Sequence, residues 1–160
     1  MNHGPHDRQS AHDEAVDCDL QQQLSAYASV LELPVQWGEQ DANGHVNHGS
    51  PVRWLESARL HYIRENGVHA ALRAAELSPI IAEIRVQYRR QITYPDNVLI
   101  GCRIIDLGRS SMVIEQGVFS RRDGALAIEA EVKVVMLDVT AQRPRRIPAE
   151  VAEAFARELR

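Results

Sequence analysis

A single long helix is predicted by the stretch HGSPVRWLESARLHYIRENG, residues 48–67. Ser50 is a favourable N-cap, Pro51 fits the first helical position because that position needs no N–H donor, and Gly67 fits the stop. The predicted helix is therefore about 16 residues, or roughly 24 Å, long. Apolar residues recur in it at helical spacing, so we expect it to be largely buried. The apolar residues are Val52, Trp54, Leu55, Ala58, Leu60, Tyr62 and Ile63.

The rest of the chain predicts an antiparallel sheet. Two stretches alternate apolar and polar residues, which is the pattern of a half-buried strand, and two more are apolar and β-branched. A further stretch contains Pro34, which favours a sheet edge or a bulge. An Asp-Gly turn at Asp123 forms the last hairpin. In chain order, the predicted strands lie at residues 31–37, 82–90, 97–107, 111–120 and 128–136.

These elements predict an α+β fold in which an antiparallel sheet wraps around one long central helix, because each has an apolar surface that the other covers. We divide the chain into a flexible polar leader (1–28), one domain (29–140) and a C-terminal helix packed on or extending from it (141–160). Asp19 is the predicted cap of a short helix at the end of the leader. A sheet covered by one helix leaves edges exposed, so we expect a homodimer or homotetramer.

The composition argues against several classes of function. The net charge is −4, and residues 1–41 contain eight acidic residues and one arginine, which would repel nucleic acid. The chain contains no apolar run that could span a bilayer and no secretory signal, so we expect a cytoplasmic protein without a membrane partner. Cys18 and Cys102 give neither a disulfide framework nor metal-ligand spacing, so we expect reduced thiols.

Polar side chains are concentrated directly before the helix, in DANGHVNH at residues 41–48. The N-terminus of a helix offers free N–H groups and a positive dipole end, which suit the polarisation of a thioester carbonyl. The candidate donors are the N–H groups of His48, Gly49 and Ser50. Asp41 can attack such a carbonyl directly or deprotonate water as a general base. Asp41 also fits a purely structural Asx turn.

The motif WGEQDANGHVNH, followed by WLESAR, resembles the signature of hot-dog-fold acyl-CoA thioesterases, the 4-hydroxybenzoyl-CoA thioesterase and short-chain acyl-CoA thioesterase group. The resemblance continues through YRRQITYPD and covers about residues 31–138. It implies a hot-dog fold and the hydrolysis of thioesters of CoA or acyl carrier protein, without a cofactor. It also places Asp41 at the catalytic aspartate position. His48 falls where one branch has a Tyr whose backbone amide polarises the carbonyl and another branch has a catalytic His.

Two departures from the family pattern stand beside the site. Pro51 replaces a Tyr that often lines the acyl pocket, and Gln91 replaces a Pro. The first departure bears on the shape of the acyl pocket, because a ring that often lines it is missing. The acyl chain is therefore left open by the sequence.

Several further residues have supporting roles in this hypothesis. His45 and Asn47 shape the loop, while Glu56 lies on the helix, where another hot-dog branch has its catalytic carboxylate; a hydrogen bond or ion pair with Arg59 is the structural alternative. Asp41, His45 and His48 have ligand chemistry, but no additional ligand at recognisable spacing accompanies them, so we expect no metal. Arginine side chains match phosphate oxygens. The candidate contacts to CoA phosphates are Arg89, Arg90, Arg121 and Arg122.

Two other functions are open from the sequence. The loop partly matches the Asp-x-Asn-x-x-His pattern of hot-dog enoyl or hydroxyacyl thioester hydratases and dehydratases, with Asp41 and Asn43 in place but Val46 where that pattern has His. The third possibility is a non-catalytic module that binds acyl thioesters, since a fold alone does not establish turnover.

Overall fold

The computed structural model describes residues 16–65 and 67–156. Five antiparallel strands form one sheet, in the order β1-β3-β4-β5-β2. This sheet and the long helix packed on it give the α+β class that the sequence predicts. The strands are β1 (Ser29–Pro34), β2 (Leu77–Tyr88), β3 (Asn97–Leu107), β4 (Ser111–Ser120) and β5 (Ala125–Asp138).

Four helical segments accompany the sheet within the described residues. The described part of α1 covers residues 16–24. The others are α2 (Ser50–Glu65), α3 (Val68–Ala74) and α4 (Ala149–Ala156), and a short 3-10 turn covers Trp37–Glu39. No helix in this part of the chain combines the length and apolar character needed to cross a membrane.

The central helix α2 matches its prediction closely. It has the expected 16 residues, and Gly67, just beyond its end, adopts a left-handed φ of 68° that favours glycine. It starts at Ser50 itself, so Ser50 belongs to the helix rather than preceding it. Val52 and Leu60 are exposed, although we predicted them on the buried surface. They lie eight residues apart on one face of the helix, which the sheet of this chain does not cover.

The largest difference from the prediction concerns β2. Ile84 and Tyr88 are exposed, although the alternation in residues 82–90 predicts that they lie on the buried face of a strand. The sheet order explains the difference, since β2 is an edge strand and α2 packs mainly against β1 and β3. Ile84 pairs with Val132 and Tyr88 with Ile128, both buried, so the apolar row of β2 faces the α2 side without being covered by α2.

The segment before β1 also differs from the predicted flexible leader. Residues 1–15 lie outside the described residues, but residues 16–24 are helical, so Asp19 lies inside a helix rather than capping one. Leu20 and Leu24 are buried against Leu99 and Phe119 on the sheet face opposite α2. The spacing of four residues brings both leucines to one side of α1, which explains why this part of the chain packs on the domain.

Candidate functional site

The loop before α2 is a small hairpin. Gln40 and Val46 form an antiparallel bridge, and the Asp41 N–H donates to the His45 carbonyl at 2.8 Å. Gly44 turns the loop with a positive φ of 75°, which its missing Cβ permits. The Val46 N–H donates to the Ile92 carbonyl at 2.8 Å. These backbone bonds hold the loop against the segment that follows β2.

Asp41 lies at the start of this hairpin and is exposed. Its Oδ1 accepts the Asn43 N–H at 2.8 Å and a longer contact from the His45 N–H at 3.5 Å. The carboxylate therefore forms the Asx turn that the sequence offers as its structural role. Its second oxygen accepts no hydrogen bond from the described residues. One carboxylate oxygen thus holds the turn while the other is available for chemistry.

Asn47 occupies two of the three predicted oxyanion donors. Its side-chain Oδ1 accepts the Gly49 N–H at 2.9 Å, and its carbonyl accepts the Ser50 N–H at 3.0 Å. The His48 N–H has no acceptor among the described residues. Of the predicted set, His48 therefore supplies the open donor, whereas the amides of Gly49 and Ser50 are engaged within the loop.

The direction of the His48 N–H follows from the same contacts. The Asn47 carbonyl points toward Ser50, and the carbonyl and N–H of a trans peptide point in opposite directions. The His48 N–H therefore points away from α2. The bond from Ser50 to Asn47 spans three residues, so it adds a 3-10-like turn to the helix N-terminus. The His48 N–H is the free donor of that turn, at the positive end of the helix dipole.

A pocket of about 210 Å³ opens beside His48. It is lined by His45 and His48 from the loop, by Pro51 of α2 and by the segment from Tyr88 to Ile92. Asp41 is not among the lining residues in the single chain. The structure thus places His48 at a concave, partly apolar surface and leaves the Asp41 carboxylate outside the lining of that surface.

The four candidate phosphate contacts separate into two groups. Arg89 and Arg90 line the pocket, and their N–H groups both donate to the Ala127 carbonyl, at 2.8 and 3.0 Å. Two N–H groups on one carbonyl are the pattern of a β-bulge, which often redirects side chains next to a functional site. Arg89 is paired with Glu129 at 2.6 Å, but Arg90 forms no ion pair or side-chain hydrogen bond with the described residues.

Arg121 and Arg122 lie away from this pocket and have structural partners. Arg121 contacts Glu32 at 3.0 Å, and Arg122 donates to the Thr93 hydroxyl at 2.9 Å. These contacts belong to the surface around the β4–β5 hairpin. The structure therefore leaves Arg90 as the strongest of the four candidates.

The ion pair considered between Glu56 and Arg59 is not formed. Glu56 is exposed and contacts no described residue through a hydrogen bond or ion pair. Arg59 is only 8% exposed and donates to Oε1 of Gln116 at 2.8 Å. Burial lowers the pKa of the Arg59 guanidinium. Glu56 therefore lies on the uncovered face of α2 and is not part of the described site.

The sequence did not identify two residues that hold the site. Glu39 accepts the Trp54 indole N–H at 2.8 Å, and its backbone carbonyl accepts the Asn47 N–H at 2.8 Å. The Tyr88 hydroxyl donates to the His48 carbonyl at 2.6 Å. The hydrogen bonds of Glu39 and Tyr88 connect distant parts of the chain, so no spacing of neighbouring residues predicts these two roles. Glu39 and Tyr88 do lie within the two motifs that carry the family resemblance.

No cluster of three or more His, Cys, Asp or Glu side chains that could hold a metal ion occurs in residues 16–65 and 67–156. His45 and His48 face the same pocket, but Asp41 lies outside it.

Comparisons with known proteins indicate a thioesterase family. The model of a family described as the thioesterase-like superfamily matches residues 35–155. The acyl-CoA thioester hydrolase YbgC of Escherichia coli O157:H7 is 29% identical over 122 residues, covering 76% of this chain and 90% of the relative. The long-chain acyl-CoA thioesterase FadM of Escherichia coli K12 is 21% identical over 122 residues, covering 76% of this chain and 92% of FadM.

A solved thioesterase structure has the same fold as this chain. A thioesterase from Thermus thermophilus, complexed with coenzyme A and Zn, superposes with a TM-score of 0.72 at 26% identity. The match covers 84% of this chain and 96% of that structure. The hot-dog fold implied by the sequence resemblance is therefore confirmed.

Proposed function

The chain belongs to the thioesterase-like superfamily, and we propose that it hydrolyses acyl-CoA thioesters at the pocket beside His48. The observation that carries this proposal is the His48 N–H, which has no acceptor among the described residues and lies at the positive end of α2. A thioester carbonyl placed there gains a hydrogen bond that strengthens as negative charge develops on its oxygen.

In this mechanism, Asp41 acts on the polarised carbonyl. Either its free carboxylate oxygen attacks the carbonyl carbon and forms an anhydride that water hydrolyses, or it removes a proton from the attacking water. In both routes the C–S bond breaks, and the thiolate leaves and takes up a proton. Both routes require the acyl carbon to lie between the His48 amide and the Asp41 carboxylate. His45 and Asn47 support the loop, and the mechanism requires no cofactor.

We assign the CoA phosphates to Arg90. Its guanidinium has no protein partner among the described residues, and Arg90 lines the pocket. Arg89 is paired with Glu129, so it contributes positive charge to the pocket rather than an unpaired guanidinium. The same phosphopantetheine arm is present in acyl carrier protein, so the choice of carrier is decided by contacts beyond that arm.

Arg90→Gln is expected to raise KM for acyl-CoA by about tenfold, which is the effect of losing about 1.4 kcal/mol of binding, with little change in kcat. The KM for the matching acyl thioester of N-acetylcysteamine, which lacks phosphates, is expected to stay unchanged. Arg73→Gln, an exposed arginine on α3, is the matched control. Cleavage of acyl-CoA with an unchanged KM would contradict the role of Arg90. Failure of the wild type to release thiol from any acyl-CoA or acyl carrier protein thioester would contradict the proposed function.

We further propose that the protein forms a homodimer or homotetramer. Among the described residues, no strand pairs with the outer side of the edge strand β2, which carries exposed Ile81 and Ile84 toward the α2 side. A second copy that pairs along this edge covers Ile81 and Ile84. It also leaves less open surface next to Tyr88. The free thiols of Cys18 and Cys102 fit a reducing compartment, so we propose a cytoplasmic location.

A further inference from the structure

We infer that Tyr88 is a positioning residue that fixes the direction of the His48 amide before substrate binds. Its hydroxyl donates to the His48 carbonyl at 2.6 Å. The inference rests on the proposed function, because the role given to Tyr88 is to hold the proposed oxyanion donor in place. Tyr88 itself is not required to touch the reacting atoms.

The peptide groups on both sides of the His48 Cα atom are held by hydrogen bonds. On the C-terminal side, Tyr88 holds the carbonyl and the Asn47 side chain holds the Gly49 N–H at 2.9 Å. On the N-terminal side, the Asn47 carbonyl is held by the Ser50 N–H at 3.0 Å. Each residue has two soft backbone dihedrals, φ and ψ. Fixing both neighbouring peptide planes fixes both dihedrals of His48 and therefore the direction of its free N–H.

Tyr88 differs from the other anchors in its origin. Asn47 belongs to the same loop as His48, so it moves with that loop. Tyr88 is the last residue of β2, and its backbone pairs with Ile128 of β5. The Tyr88 hydroxyl therefore ties the loop to the sheet, and both Tyr88 and His48 line the pocket. A donor held by a rigid element is positioned better than one held by its own loop.

The exposure of Tyr88 indicates that this bond serves geometry more than stability. The side chain is 50% exposed. An exposed hydroxyl exchanges a bond with water for a bond with a carbonyl, so its net contribution to folding is small. Holding an oxyanion donor in a fixed direction has a larger effect on the reaction, since the donor then needs no reorganisation as charge develops.

Tyr88→Phe removes the hydroxyl and keeps the ring. We expect kcat for thioester hydrolysis to fall about tenfold, KM to stay within about twofold and the melting temperature to stay unchanged. Tyr94→Phe is the matched control, because Tyr94 is similarly exposed and forms no side-chain hydrogen bond with the described residues. A role of the hydroxyl in binding substrate would instead raise KM at unchanged kcat, and that result would overturn the inference.

A second readout does not depend on turnover. Nitrogen-15 relaxation of the His48 and Gly49 amides is expected to show increased mobility in Tyr88→Phe and no change in Tyr94→Phe. Unchanged mobility in both variants would overturn the inference even if the wild type is an active thioesterase. Increased mobility in a protein that cleaves no thioester would retain the positioning contact and reject the proposed function, so the two failures are distinguishable.

Discussion

Asp41→Asn is expected to lower kcat for thioester hydrolysis by about 10²- to 10⁴-fold, the range typical of a lost general base. The substitution is well matched to the structure. An Asn side chain keeps an oxygen that accepts the Asn43 N–H, so the turn at 2.8 Å is retained. Its amide has neither the charge to attack a carbonyl nor the basicity to take a proton from water.

Two comparisons make this prediction specific. Asp41→Ala also removes the turn acceptor, so any further loss relative to Asp41→Asn measures the structural contribution of the Asx turn. Asp106→Asn, an exposed carboxylate on β3, is expected to retain full activity. Thiol release is measured for each variant after circular dichroism shows equal folding. Full activity of Asp41→Asn would mean that this carboxylate only shapes the loop.

Gln116→Leu is expected to lower the free energy of unfolding by about 3 kcal/mol or more. Gln116 is fully buried, accepts from the Arg59 guanidinium at 2.8 Å and donates to the Leu55 carbonyl at 2.9 Å. It also donates to the thiol of Cys102, whose pKa burial raises to about 12, so that the thiol stays neutral. Leucine leaves a buried cation and a helix carbonyl without this partner. No carboxylate among the described residues forms an ion pair with Arg59.

The loss of unfolding free energy in Gln116→Leu is expected to come from the unpaired Arg59 more than from the loss of the glutamine itself. The double variant Arg59→Met/Gln116→Leu is therefore expected to recover much of the stability, because an apolar pair of similar volume replaces the buried polar pair. Gln87→Leu on the exposed edge strand is the matched control, with a change below about 0.5 kcal/mol. Urea unfolding measures all three. A Gln116→Leu protein as stable as the wild type would contradict this account of the interior.

Sequence patterns predicted those elements whose bounds depend on residues close in sequence. The start and the stop of α2 are encoded within the helix and its flanks, and its 16 residues follow from Pro51 and Gly67. The position of the loop with Asp41 and His48 before α2 is local in the same way, whereas the catalytic roles of these residues stay predictions. In each case, residues close in sequence determine the outcome.

Non-local pairing explains what the sequence did not predict. Arg59 was matched with Glu56, three residues away, but its partner is Gln116 on β4, 57 residues later. The exposure of β2 depends on the sheet order, which alternation along one strand does not contain. Within the site, Tyr88 and Glu39 reach the loop from other elements, so their roles become visible only when these elements are brought together.

The central claim is that the backbone amide of His48 polarises the thioester carbonyl at the end of α2. The most direct measurement is the infrared stretching frequency of a carbon-13-labelled thioester carbonyl bound to the Asp41→Asn protein. The account predicts a frequency below that of the same thioester in water, because a fixed donor at a helix N-terminus weakens the C=O bond more than water does. A frequency equal to or above the value in water would contradict it.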